Sequence, residues 1–292
     1  MRIRRLVTFV AALTVCLALA EAGARVLGVA DVPIYDVDDE IGYVPKPNQS
    51  GSFLRSRNWA INEVSMGTPR PFAPHPQKQD ILLVGDSIVF GGNRLSEAER
   101  LGPQLELATS SAVWPISASS WSLQNELAYL RRHPAVVAGV DHIVFVLNSG
   151  DFDGLSSWSS DYSHPRQRPL SAAIYAFRRH VLSSVEEPNA KRSVAVRDSA
   201  VDFKAVFGNN VKPITIILYP NLEEVDDKAL AQRILKPRGQ VLKSLDGDVG
   251  SVVVVSEDAR WSRELYRDAI HPTAAGTALL SRIIAGSLSS PP

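Results

Sequence analysis

The sequence predicts a doubly wound α/β fold, a mainly parallel five-stranded sheet of flavodoxin-like order with helices on both faces. Two observations carry this reading. Short apolar or β-branched runs at 81–84, 113–116, 143–147, 214–219 and 252–255 are each bounded by polar or turn residues, the pattern of strands buried on both faces. Helical patterns at 97–108, 123–132, 170–185, 229–245 and 274–288 alternate with them, and strand, helix, strand in repetition implies parallel crossovers.

Taken in order, the first element is not part of that sheet. In "MRIRRLVTFVAALTVCLALAEAGARVLG" three arginines precede an uncharged run at 6–20, which marks residues 1–30 as a signal peptide or a membrane anchor. The small pair Ala18 and Ala20 suits cleavage, while residues 22–30 could lengthen a retained helix toward the roughly 20 apolar residues a span needs. Either way the arginines stay cytoplasmic, so the domain is expected on the extracytoplasmic (periplasmic) face, anchored by this one segment or exported after its cleavage. Residues 31–79, rich in Pro, Gly, Asn, Ser and Asp, read as a spacer with a small β-hairpin around Phe53 and residues 59–64. Residues 80–292 form the main domain. Within it, 151–211 is too long and too polar for a minimal crossover, and a long loop at the end of the third strand is a candidate lid.

Composition narrows the function. A chain of 292 residues with 45% hydrophobic residues can bury a full core, and 31 basic against 31 acidic residues leave no basic field for nucleic acid. The single cysteine, Cys16, excludes an internal disulfide framework and a Cys-rich zinc site. No metal or other cofactor is expected, and the sequence leaves the oligomeric state open.

Chemistry concentrates in two short stretches. In "ILLVGDSIVFGG", 81–92, a buried strand runs straight into Gly-Asp-Ser. Ser87 there is either an N-cap or a nucleophile at the strand end where ligands of open α/β sheets bind. A serine alcohol needs a base. "YRDAIHPTAAG", 266–276, supplies one, since Asp268 lies three residues before His271 and can fix the imidazole's tautomer. Each motif alone is an ordinary cap or turn; their conjunction, one after the first strand and one before the last helix, points to catalysis.

These blocks resemble those of the SGNH hydrolases, the GDSL-type esterase and lipase superfamily. The likeness runs from about residue 80 to the end, and Glu21, Arg25, Ile61 and Asn62 add a resemblance to N-terminally membrane-anchored bacterial members. It implies Ser87 as nucleophile, His271 as general base and Asp268 as its orienting acid. It also implies an oxyanion hole from the Ser87 N–H, a second-block N–H and a third-block asparagine. In "ISASSWSLQNEL", 116–127, Ser120 stands where glycine is usual, and its N–H serves provided no positive φ is demanded. In the third block Gly150 stands in place of asparagine, just before Asp151. Asn148, two residues earlier, either satisfies local backbone or has taken over the donor role.

Trp121, Asp151, Trp158 and Tyr162 are candidate substrate-binding residues, with lid packing as the alternative for the aromatics. Asp86 reads as a structural carboxylate, His164 as a loop residue, and Arg94 and Arg100 as solvated. The resemblance implies a serine esterase that removes an acetyl or other short acyl group from an envelope or secreted carbohydrate, or acts on a small ester, through an acyl-serine intermediate. An O-acyltransferase with the same triad, or a non-catalytic carbohydrate-binding module, are the alternatives.

Overall fold

The computed structural model describes residues 2–152, 154–181, 194–208, 212–243 and 249–289. Helix α1 (Arg2–Leu27) runs unbroken through Ala18 and Ala20, buries none of its residues, and is long and apolar enough to cross a membrane. Two antiparallel hairpins follow, β1 (Tyr35–Asp38) with β2 (Gly42–Pro45) and β3 (Gln49–Phe53) with β4 (Arg57–Ile61). Where the sequence predicts a spacer with one hairpin there are thus two, and they are built into the domain. Tyr43 and Met66 are fully buried in the main core, and the Tyr43 hydroxyl donates to the Ser119 carbonyl at 2.7 Å. Turn-rich composition hid this, because hairpins of four or five residues carry too few apolar positions to register as core.

The main domain then alternates: β5 (Asp80–Gly85), α2 (Ser87–Phe90), α3 (Leu101–Thr109), β6 (Ala112–Ser117), α4 (Leu123–Arg132), α5 (Pro134–Gly139) and β7 (His142–Leu147). After β7 come α6 (Ala172–Val181) and α7 (Ser199–Phe207), both within the long insertion. The chain closes with β8 (Ile214–Leu218), α8 (Leu222–Asp226), α9 (Lys228–Lys243), β9 (Val249–Val254) and α10 (Ala274–Ser289). All five expected strands are present, with shifts only at their ends. The helix expected at 97–108 begins as a separate 3₁₀ turn, Glu97–Glu99, and the expected ends at 182–185 and 244–245 lie outside the described residues.

The sheet order is β6-β5-β7-β8-β9 with every pair parallel. Numbered along the sheet's own strands this is 2-1-3-4-5, so the connections leave β5 in opposite directions and open a crevice at its carboxyl end. Side-chain alternation divides the core. Leu82, Val84, Phe145 and Ile216 pack under α4, α7 and α9 through Leu127, Phe203 and Leu235. Ile81, Leu83, Val144 and Ile217 pack on the other face against Leu101 and Leu105 of α3 and Leu280 and Ile284 of α10.

β5 ends on a glycine because α2 folds back directly onto it. A Cβ at Gly85 would come within 2.6 Å of Val89 Cγ2 and 3.0 Å of the Val146 carbonyl oxygen. Gly85→Ala is therefore expected to destabilise the fold by about 1–3 kcal/mol, the usual cost of overpacking. An unchanged urea midpoint would show that this junction relaxes freely.

Candidate active site

Three strand ends and one loop build the site. Asp86 caps α2, its Oδ1 accepting the Ile88 N–H at 2.8 Å, and Ser87 opens that single turn, which Gly91 closes at φ +75°. Asp268 and His271 reach the same place on the segment between β9 and α10. That segment is pinned from below: the Tyr219 hydroxyl donates to the Ile270 carbonyl at 2.8 Å, Leu222 N–H to the Ala269 carbonyl at 2.8 Å, and Arg267 N–H to the His271 carbonyl at 2.9 Å. Tyr219, Trp261 and Tyr266 form the aromatic pad on which it rests.

The result is a continuous relay. Ser87 Oγ lies 3.0 Å from His271 Nε2, and His271 Nδ1 lies 2.9 and 3.0 Å from the two oxygens of Asp268. Asp268 also accepts the N–H groups of Ile270 and His271 at 3.1 and 2.9 Å. Partial burial alone would raise its carboxyl, but these amides and the imidazole outweigh that and hold it below the usual carboxylate value. An anion fixed there selects the tautomer with hydrogen on Nδ1, leaving Nε2 to accept from Ser87. Ser87 has a second, longer partner in Asp86 Oδ2 at 3.3 Å.

The four candidate oxyanion donors differ in what they already bond. Ser87 N–H is at the site by construction. Ser120 is exposed at the cavity wall, and its N–H meets no acceptor among the described residues. It does sit at φ +62°, the left-handed region in which glycine is easiest to place, so the serine adopts the positive φ at a cost in backbone strain while its N–H stays available. Gly150 N–H is engaged, donating to Asn148 Oδ1 at 2.8 Å. Asn148 is engaged as well: its Nδ2 donates to Asp86 Oδ2 at 3.1 Å and Asp151 Oδ2 at 2.9 Å, so both amide hydrogens are committed to carboxylates. Its side chain therefore follows the local-bonding alternative, with carboxylates rather than backbone as the main partners.

This cluster is unusual for its charge. Asp86, Asp151 and Glu126 are all buried. Burial pushes Asp86 up to about 6, against the pull of the Ile88 amide and His271. It also raises Asp151 and Glu126 well above their ordinary values, and neither carboxylate oxygen of Glu126 has a hydrogen-bond partner. Three close acids cannot all ionise in such surroundings, so protons are retained among them.

A cavity of about 970 Å³ opens over Ser87 and His271. Its polar wall includes Asn93, Ser119 and Ser120, its apolar wall Val29, Leu54 and Leu155, and the insertion contributes Ser156, Ala176 and Arg179. Trp121 and Asp151 border it, but both are buried and Trp121 spends its indole N–H on the Tyr43 carbonyl at 2.8 Å. Trp158 and Tyr162 do not border it. Trp158 is buried with its N–H on the His164 carbonyl at 2.7 Å and Arg166 over its ring, and Tyr162 lines a separate cavity beside α6. Lid packing, the alternative given for these aromatics, describes them.

His164 lies in a loop as expected, and that loop is buried there: the imidazole packs on Tyr35 and Tyr43, with burial depressing its pKa to about 4. One further expectation is corrected, since Arg100 is buried beside the Phe90 ring rather than solvated. Sequence reasoning passed over Arg267, which lines the cavity with Nε 3.7 Å from Asp268 Oδ2 and Nη1 without a hydrogen-bond partner among the described residues. Its place beside Asp268 was the signal available.

No family model matches the chain, and no curated protein matches it. Among solved structures it is similar to a lipolytic protein of the G-D-S-L family from Desulfitobacterium hafniense, at 13% identity and a TM-score of 0.40 over 71% of this chain and 98% of that one. It is also similar to a Corynascus thermopiles carbohydrate esterase of family 2 carrying a carbohydrate-binding domain, at 15% identity and a TM-score of 0.42 over 76% of this chain and 69% of that one. A third is the salicylyl-acyltransferase SsfX3 of a tetracycline biosynthetic pathway, at 15% identity and a TM-score of 0.41 over 74% and 56%.

Two outcomes follow from this geometry. Because the folded protein holds the Asp86 proton more tightly than the unfolded chain, this group favours folding fully below its ordinary value of 3.8 and loses that contribution as pH rises through about 6. Asp86→Asn should flatten the fall in stability across that window, read as urea midpoints at its two ends, and an identical slope in both proteins would remove the buried-proton account. Ser120→Gly keeps the N–H and relieves the left-handed serine, so it should gain up to about 1 kcal/mol of stability.

Proposed function

We propose that the chain is a serine esterase working through an acyl-Ser87 intermediate. The observation that carries this is the unbroken series Ser87 Oγ, His271 Nε2, His271 Nδ1, Asp268 with separations of 3.0 and 2.9 Å. Ser87 Oγ attacks the ester carbonyl as its proton passes to His271 Nε2. The tetrahedral oxyanion is held by the N–H groups of Ser87 and Ser120. His271 then gives its proton to the leaving alcohol, and water repeats the sequence in reverse to free the acid. Asp268 remains ionised throughout and stabilises the imidazolium.

With Asn148 committed to Asp86 and Asp151, this hole has two donors and no side-chain amide. One donor is worth about 2.7–4 kcal/mol, so catalysis should be slow rather than absent. As substrate we infer a short acyl group, acetyl above all, on a carbohydrate. Support comes from a polar wall of hydroxyl and amide groups in a cavity much wider than an acetyl ester, with Ser119, Ser120, Asn93 and Ser156 able to meet sugar hydroxyls. A sugar hydroxyl in place of water would make the same site an O-acyltransferase, a reading favoured by Ser156, Ala176 and Arg179 of the insertion walling the same cavity. We further propose that α1 retains the protein in a membrane, with the domain on the side away from Arg2, Arg4 and Arg5.

Wild-type protein should hydrolyse an acetyl-ester chromogen and take a fluorophosphonate label on Ser87. Ser87→Ala and His271→Ala should each abolish nearly all turnover, Asp268→Asn should slow it by roughly 10²–10⁴, and the double variants should lose no more than the singles. A folded wild type that refuses the label and leaves the chromogen intact would favour the binding-module alternative.

A further inference from the structure

The insertion that walls the cavity is joined to the end of α1 by an unusual cap. Glu21, the first charged residue after the uncharged run 6–20, accepts the N–H groups of Ala172 and Ala173 at 3.1 and 3.0 Å and the Ser171 hydroxyl at 2.7 Å. A carboxylate from one helix thus closes the first turn of α6. Arg25 pairs with Glu21 at 2.6 Å and donates to the Leu170 carbonyl. From the other side, Arg55 on the β3–β4 turn donates to the last α1 carbonyls, those of Val26 at 3.1 Å and Arg25 at 2.9 Å. The start of α6 is therefore held at the level where the apolar part of α1 stops.

From that level α6 presents an apolar stripe to the outside. Leu170, Ile174, Phe177 and Val181 are 96%, 58%, 56% and 61% exposed, and the last three recur at helical spacing on one side, opposite the buried Ala172 and Tyr175. Arg178 flanks the stripe. It contacts Tyr162 and pairs with no carboxylate among the described residues. Beside it lies a cavity of about 600 Å³ bordered by Arg168, Ile174 and Arg178.

We propose that this side of α6 rests in the leaflet into which α1 emerges, with Ile174 and Phe177 at the acyl boundary and Arg178 among anionic headgroups. Continuity with α1 identifies the occupant. A helix with an apolar stripe and a cationic flank, fixed to the end of a membrane-crossing helix, meets lipid before it can meet anything else. Ala176 and Arg179 on the far side of the same helix line the cavity at Ser87, together with Val29 just beyond α1, so the helix that rests on lipid also walls the site.

The inference rests on α1 being a membrane anchor, and the lone cysteine allows the two to be separated. The full chain is reconstituted in vesicles of equal parts phosphatidylcholine and phosphatidylglycerol, with an environment-sensitive fluorophore on the native Cys16. In a Cys16→Ser background the label is moved to Ile174→Cys, Phe177→Cys or, as a control, the exposed Leu107→Cys of α3. Expected are quenching of Cys16 by deep spin-labelled lipid, blue-shifted emission at 174 and 177 with quenching by shallow spin-labelled lipid, and water-like emission at 107. Quenching at Cys16 with water-like emission at 174 and 177 overturns the α6 proposal and leaves the anchor standing. A blue shift at 174 and 177 that lipid spin labels do not quench but that grows with protein density overturns it in favour of a second copy. No quenching at Cys16 removes the anchor, and the proposal with it.

Discussion

The register of β5 against both its neighbours is the constraint from which the site follows. Gly85 pairs with Ser117 on β6 and with Val146 on β7, so the three strands end within a residue of one level. Ser87, Ser119 with Ser120, and Asn148 through Asp151 therefore emerge side by side. Nothing local enforces this alignment. It is set by burial on both sides of the sheet, because slipping β5 by one residue would exchange Leu82 and Val84 with Ile81 and Leu83 and put each set against the wrong helices. The groups proposed to act on the ester inherit their positions from residues of the core.

His271 depends on a different kind of support. It arrives from between β9 and α10, and its place over Ser87 is set by hydrogen bonds to the carbonyls of its segment from the Tyr219 hydroxyl and the Leu222 and Arg267 N–H groups, and by the aromatic pad beneath. This matters chemically because a general base displaced by an ångström loses the near-attack geometry on which most of its effect relies. Asp86, which burial pushes up to about 6, caps the turn that presents Ser87 and also bonds Asn148, so it joins that turn to the third strand end.

Much of this was legible in the sequence because it rests on short-range chemistry. Five apolar runs between helical patterns gave the sheet, and Gly-Asp-Ser with Asp-x-x-His brought Ser87, Asp268 and His271 to one place. What escaped was decided by partners far along the chain. Tyr43 and Met66 lie in turn-rich sequence yet are core, because α4 and the β6 end close over them. Trp158 and Tyr162 look like sugar-stacking residues until His164, Arg166 and Arg178 are seen to occupy them. In the sequence alone Asn148 stays open between local bonding and a donor role, because its bond to Asp86 spans a distance no local pattern encodes.

The insertion unites these themes. Its first residues, through Asp151 and Ser156, are tied to Asn148 and to Asn125 of α4, so one end is welded to the sheet. The start of its α6 is capped by Glu21, so the helix that brings Ala176 and Arg179 to the cavity wall is tied to α1. Arg55 ties the same end of α1 to the β3–β4 turn. A tilt of α1 against the domain therefore costs charge-assisted hydrogen bonds on both sides, and the end of α1, the start of α6 and the cavity wall hold together.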